Sequence, residues 1–255
     1  MLHARAIALT TAGIAVGIGG LAASARYLAI RRRSGGMVRL AEMIPVHSAH
    51  WREQRKKTGE LLYVAIGDSA AQGIGASRPS HSYVGLLARS IRLQSQKTVR
   101  VVNLSQSGAR LREAVDKQEP AIRRLIPDIV TVAIGANDIG SPDGFDPERF
   151  ERELRLVYGA LPGHAIVADL PSFYFGEAER KVRAANVIVR TVASDLGLAV
   201  APLYEVTRGR TAARTALRDV AADFFHPNDR GYQAWASAFK PLVADRVEQL
   251  LAARG

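Results

Sequence analysis

Five short apolar runs rich in β-branched residues constrain this chain more than any other feature: Leu61–Ile66, Val99–Asn103, Asp128–Ile134, His164–Leu170 and Leu198–Ala201. Each is short for a helix and almost continuously apolar, so it reads as a strand buried on both faces. Amphipathic stretches separate or follow them, at Ser82–Gln94, Leu111–Leu125, Pro147–Gly159, Glu177–Leu196 and Gly231–Ala253. The last four place apolar residues three and four apart, as at Leu154, Val157 and Leu161, which is the period of a helix facing a core. Buried strands alternating with such helices predict a parallel five-stranded sheet in a three-layer α/β/α sandwich. It forms one domain over residues 61–255, with no internal repeat.

In an open sheet of this kind, ligands bind beyond the carboxyl ends of the strands. Gly67-Asp68-Ser69 follows the first strand, Ser107-Gly108 lies just beyond the second, and Gly135-Ala136-Asn137-Asp138 follows the third. Three polar, glycine-containing turns therefore converge on one edge of the sheet, which becomes the candidate site.

The first 60 residues differ from the rest. Ala6 to Ala25 is a run of 20 residues without a charge, long enough as a helix to span the roughly 30 Å of a bilayer's hydrocarbon core. Three readings compete for residues 1–33. One is a membrane anchor stopped by Arg26 and the Arg31-Arg32-Arg33 cluster. Another is a signal peptide cleaved near Ala23-Ser24-Ala25, giving a secreted domain, and the third is a soluble helix. With an uncleaved anchor, positive residues lying mostly after the span place the C-terminal domain on the cytoplasmic side. Residues 34–60, with Gly35-Gly36 and Pro45, read as a linker or juxtamembrane helix.

The formal charge of +11 is unevenly spread: residues 1–60 hold ten Lys/Arg against three Glu. A basic stretch beside an apolar run suits anionic headgroups at least as well as nucleic acid, so no nucleic-acid partner is expected. The chain has no cysteine, which excludes disulfides, thiolate metal sites and a cysteine nucleophile. The absence of H-E-x-x-H and of a Gly-Lys-Ser/Thr loop argues against zinc proteolysis and P-loop chemistry, and no cofactor or metal is expected. There is also no G-x-S-x-G elbow, which disfavours the α/β-hydrolase fold.

Acyl transfer through a serine needs an exposed hydroxyl, a base, a group orienting that base and donors for the oxyanion. Ser69 sits in a strand-to-helix turn where its hydroxyl can be presented near backbone N–H groups; alone, it would read as an N-cap. Gly108 lets its N–H approach a substrate oxygen closely, and alone it would read as a turn glycine. Asn137 offers an amide donor, or else an Asx turn. In Asp223-Phe224-Phe225-His226-Pro227 the spacing of three lets a carboxylate reach the imidazole Nδ1 and leaves Nε2 free, with Pro227 keeping His226 in a loop. Asp68 is expected to tie down the serine turn rather than to act as the base.

Taken in order, Gly67-Asp68-Ser69 with Gly73 and Gly75, then Asn103–Gly108 (NLSQSG), then Gly135-Ala136-Asn137-Asp138, then Asp223-Phe-Phe-His226 resemble the four motif blocks of the SGNH (GDSL-type) hydrolases. The resemblance runs from about Leu61 to the C-terminus. It implies a flavodoxin-like sandwich and cofactor-free hydrolysis of esters or thioesters. It also implies Ser69 as nucleophile, His226 as base oriented by Asp223, and an oxyanion hole from the N–H groups of Ser69 and Gly108 and the amide of Asn137. An acyltransferase using the same triad, or a catalytically silent membrane-tethered binding protein, remains open at this point. The expected partner is a small-molecule or lipid-like ester, with O-acetyl groups on a cell-envelope polysaccharide a comparable expectation if the domain faces outward and acyl or thioester substrates if it faces the cytoplasm; Phe173, Tyr174 and Phe175 are candidates either for lining an acyl pocket or for loop packing. Membrane association is expected through residues 6–25.

Overall fold

A computed structural model of the protein describes residues 35–254, apart from residues 37, 142, 175, 210 and 212–214. The apolar run 6–25 and the arginine cluster at 31–33 lie outside the described residues, as does Phe175. Among the described residues no helix is long and apolar enough to cross a membrane.

The five strands are β1 (Leu61–Gly67), β2 (Val99–Asn103), β3 (Ile129–Ala133), β4 (Ile166–Ala168) and β5 (Ala199–Ala201). All pair in parallel, in the order β2-β1-β3-β4-β5, as the apolar runs predict. The order reverses between β1 and β3, whose carboxyl ends therefore diverge into a crevice. One face of the sheet packs Tyr63, Ala65 and Val101 against Tyr83, Leu87 and Ile91 of α3 (Tyr83–Ser95) and against Phe239, Val243 and Val247 of the C-terminal helix α10 (Asp229–Ala252). The other packs Val64, Ile66, Val130 and Val132 against Leu154 and Val157 of α7 (Pro147–Gly159) and Val182, Val189 and Val192 of α8 (Gly176–Asp195). Tyr204 of the short helix α9 (Leu203–Arg208) closes that second cluster.

Local chemistry starts these helices where the sequence suggests. Ser82 caps α3 by accepting from the Gly85 N–H, Asp146 caps α7 ahead of Pro147, and Asn228 caps α10. Each side chain satisfies N–H groups that the first turn leaves without a partner.

Two stretches differ in detail from what the sequence suggests. The stretch Leu111–Leu125 is helical without a break from Leu111 to Ile122, as α4 (Leu111–Glu113), a wide π-turn over Ala114–Gln118 and α5 (Glu119–Ile122). Pro120 cannot donate the N–H that a regular α-helix requires, and the wide turn swings Gln118 into the core. The stretch 34–60, expected as a linker or juxtamembrane helix, forms a helix α1 over residues 38–56 that belongs to the folded unit. Its Leu40, His47 and Trp51 recur on one face and are buried, with Trp51 packed into the core cluster that includes Tyr63 and Tyr83.

Candidate active site

The chain leaves β1 at Gly67 and turns at once into the four-residue helix α2 (Ser69–Gln72). Asp68, not Ser69, is the N-cap: its Oδ1 accepts from the Ala70 N–H at 2.9 Å. Ser69 is thus the first helical residue, and its own N–H has no acceptor within the helix. Gln118 steadies the strand end. Its side-chain amide donates to the Gly67 carbonyl at 2.8 Å and accepts from the Gly67 N–H at 3.0 Å, as a neighbouring strand would.

The carboxyl end of α2 is clamped from outside. Trp51 Nε1 donates to the Gln72 carbonyl at 2.9 Å, His47 Nδ1 approaches the same oxygen at 3.0 Å, and Asn103 Nδ2 donates to the Ala71 carbonyl at 2.7 Å. The carbonyl can only accept, so His47 carries its proton on Nδ1, and burial lowers its pKa despite that bond. Sequence reading missed His47, Trp51, Gln72 and Gln118. An indole at Trp51 in a supposed linker was the one available signal.

The loop bearing His226 is built by its own side chains. Val220 and Pro227 bridge in antiparallel fashion, and the Ala221 N–H donates to the His226 carbonyl at 2.8 Å. Asp223 Oδ1 accepts from the N–H groups of Phe225 and His226 at 3.0 and 3.1 Å, leaving Oδ2 to meet His226 Nδ1 at 2.6 Å. The turn forces Phe224 to a φ of 57°, in the left-handed region. Burial would raise the Asp223 pKa, but the His226 hydrogen bond and the two backbone donors outweigh it and hold the carboxyl below its ordinary value. An ionised Asp223 only accepts, so Nδ1 bears the proton and Nε2 offers its lone pair to Ser69 Oγ, 2.8 Å away.

Asn137 and Gly108 come to the same edge. Asn137 lies inside the short helix α6 (Ala136–Ile139) rather than at a strand end. Its Nδ2 donates to the Ala109 carbonyl at 2.9 Å and stands 3.4 Å from Asp68 Oδ2. Asp138 Oδ2 accepts from the Leu111 N–H at 3.1 Å, so two consecutive side chains pin the segment that follows Gly108. Gly108 has a φ of 76°, which favours glycine, and space around its α-carbon. Burial lifts the carboxyls of both Asp68 and Asp138 to about 6; at Asp68 the Ala70 N–H and the nearby imidazole of His226 offset part of the rise.

A cavity of about 540 Å³ opens beside Ser69 and His226, with a mostly apolar lining that includes Phe173, Tyr174, Val220, Phe225, Ala234 and Trp235. Its wall at Ser172–Phe173 is held by Glu179. That carboxylate accepts from the Phe173 N–H at 2.7 Å, Ser172 Oγ at 3.2 Å and Tyr204 OH at 2.6 Å. Asn137 and Gly108 do not line the cavity, so the amide donors and the apolar wall occupy different parts of the site.

Known proteins share this architecture. A model of the GDSL-like lipase/acylhydrolase family matches residues 65–234. No curated protein sequence matches the chain. Among solved structures, an α/β hydrolase from the metagenome of Lake Arreo, Spain, aligns with a TM-score of 0.60 at 23% identity, covering 74% of this chain and 97% of its own. The acetylxylan esterase Axe2 of Geobacillus stearothermophilus aligns with a TM-score of 0.57 at 20% identity over 72% and 94% of the two chains. A lipase/acylhydrolase of Enterococcus faecalis gives 0.60 at 19% over 73% and 96%. These likenesses show a shared fold, and all three leave about a quarter of this chain uncovered.

Proposed function

We propose, on the premise that the chain belongs to the GDSL-like lipase/acylhydrolase family and is a serine ester hydrolase, that Ser69 is its nucleophile and that it acts on esters with an apolar acyl group. The observation that carries this reading is the unbroken relay from Asp223 Oδ2 through His226 to Ser69 Oγ, at 2.6 and 2.8 Å, opening on an apolar cavity.

In the first half-reaction Ser69 Oγ attacks the ester carbonyl while His226 Nε2 takes its proton. Asp223 stabilises the imidazolium through Nδ1. The carbonyl oxygen gains negative charge and is met by the N–H groups of Ser69 and Gly108 and the Asn137 amide, each such donor being worth about 2.7–4 kcal/mol in comparable sites. His226 then protonates the leaving alcohol, the tetrahedral intermediate collapses to an acyl-enzyme, and water repeats the cycle to release the acid. The acyl chain lies against Phe173, Phe225 and Trp235, where burying each methylene contributes about 0.8 kcal/mol. This wall supports longer acyl groups over acetyl.

The test is hydrolysis of p-nitrophenyl esters from acetate to palmitate by the full chain and its Ser69→Ala variant. Expected are a loss of kcat of roughly 10⁴-fold or more in the variant and a kcat/KM that rises with chain length before falling. Turnover that survives Ser69→Ala would remove the serine mechanism, and a preference for acetate would remove the apolar-acyl assignment.

A further inference from the structure

We propose that Glu179, which does not itself line the cavity, is the positioning residue that sets its acyl-chain selectivity, by fixing Phe173 across from Phe225. The inference rests on the apolar-acyl reading above and deepens it.

The two phenylalanines face each other from different loops, and a carboxylate holds the backbone behind each. On the His226 side, Asp223 Oδ1 accepts from the Phe225 N–H at 3.0 Å. On the other, Glu179 Oε2 accepts from the Phe173 N–H at 2.7 Å and from Ser172 Oγ at 3.2 Å, while Oε1 accepts from Tyr204 OH at 2.6 Å. Ser172 Oγ takes the Tyr174 N–H at 3.0 Å, so its own proton goes to Glu179. Asp223 belongs to the relay proposed above; Glu179 touches no reacting atom.

Glu179 is 5% exposed and makes no ion pair among the described residues. A buried carboxylate without a cation persists only where donors satisfy it. Three do so here, and the first turn of α8 is a place where the helix dipole favours an anion. Because the donors come from the wall and from α9, one side chain ties α8, α9 and residues 172–173 into a rigid corner. Thr207 of α9 adds a fourth bond, its Oγ1 accepting from the Ser172 N–H at 2.9 Å. Tyr174, next along, has a φ of 70°, a left-handed conformation that a non-glycine residue keeps only where its surroundings over-determine it.

The consequence for substrate is a matter of reach. Phe225 packs on the His226 ring at 5.1 Å, whereas Phe173 packs on Phe225 at 6.1 Å and lies beyond it. A long acyl chain bound at Ser69 reaches Phe173; an acetyl methyl, one bond from the carbonyl, does not. A wall fixed in advance offers its contact without being ordered by each chain that binds, and a loose wall loses that advantage. The loss therefore falls on chains long enough to touch Phe173.

Full-length wild type, Glu179→Ala, Glu179→Gln, Phe173→Ala and the Phe173→Ala/Glu179→Ala double variant are assayed on p-nitrophenyl acetate and decanoate. In Glu179→Ala the ratio of kcat/KM for decanoate to that for acetate should fall about ten-fold, through KM rather than kcat, the worth of roughly two methylenes of contact. Glu179→Gln should restore the ratio, since its amide oxygen still accepts from Phe173 and Ser172 and the Tyr204 hydroxyl can turn to accept from its nitrogen. In the Phe173→Ala background, Glu179→Ala should change the ratio no further. Glu179→Leu, which fills similar space without an acceptor, replaces Glu179→Ala if that variant fails to fold. An equal loss with both esters, a loss in kcat, or an effect that persists without Phe173 overturns the proposal. Calorimetric titration of decanoate into Ser69→Ala and Ser69→Ala/Glu179→Ala reads the same wall without turnover. Binding about ten-fold weaker in the double variant is expected, by the same two methylenes; equal binding, or none by either protein, overturns the proposal. A wild type that hydrolyses no ester would sink the ester-hydrolase reading alone, because the titration still decides this one.

Discussion

Replacing Asp68 with Asn should change the pH dependence of stability more than its value at any one pH. Asp68 is buried beside Ser69, and burial raises its carboxyl from 3.8 in the unfolded chain to about 6 in the fold. Because the folded-state value is the higher one, the native protein binds more protons than the unfolded chain between these limits. Stability attached to this group is then fully present below pH 3.8 and lost as pH rises through about 6. Each tenfold difference in proton affinity between fold and unfolded chain is worth about 1.36 kcal/mol, so the loss between pH 4 and pH 8 comes to about 2–3 kcal/mol. Asn carries no charge and has no such step. It keeps an oxygen for the Ala70 N–H and forfeits the 3.4 Å approach of Asn137 to Oδ2, at most about 1 kcal/mol, together with the attraction of the carboxylate to the nearby His226 imidazole. Asp138, also lifted to about 6, titrates in both proteins and cancels in the difference. Urea unfolding of Ser69→Ala and Asp68→Asn/Ser69→Ala across this range removes any concern about turnover. Relative to its parent, the Asn protein should gain about 2–3 kcal/mol on going from pH 4 to pH 8, or roughly 5–10 °C in Tm. Parallel stability profiles would refute the reasoning, since Asp68 would then ionise as easily inside the fold as outside it.

Two further outcomes are expected. Asn137→Ala should lower kcat by about 10²–10³ with little change in KM, because its amide is assigned to the oxyanion rather than to substrate binding; a change confined to KM in steady-state kinetics would reassign it. Trp51→Ala should cost about 3–5 kcal/mol in chemical denaturation through loss of packing, whereas Trp51→Phe, which keeps the ring and loses the donor to Gln72, should cost only about 1–2 kcal/mol. An unchanged stability in Trp51→Ala would mean that α1 does not pack on the α2 turn.

What could be read without the structure was local. The strands were legible because buried parallel strands write themselves as apolar runs, and Val99–Asn103 and Pro147–Gly159 match their elements end to end. The His226 loop was legible because the Asp223 carboxylate, two residues from Phe225 and three from His226, is committed by short-range geometry to the hydrogen bonds seen here. Even so, the sequence did not separate Ser69 from an ordinary N-cap; the fold does, by giving that task to Asp68.

Tertiary structure decided whatever depended on partners distant in the chain. Ser69 and His226 are separated by 157 positions, and only the sheet order and the packing of α10 on α3 bring them to 2.8 Å. Helical periodicity could not reveal that this helix would widen into a π-turn ahead of Pro120 and deliver Gln118 to the end of β1. Residues 34–60 read as a linker or juxtamembrane helix, yet Trp51 and His47 both meet the Gln72 carbonyl at the end of the Ser69 helix. Periodicity and turn chemistry act over a few residues and are written in order along the chain. A cavity wall that takes Phe173 from one loop and Phe225 from another is fixed by close packing in three dimensions, which no window of sequence contains.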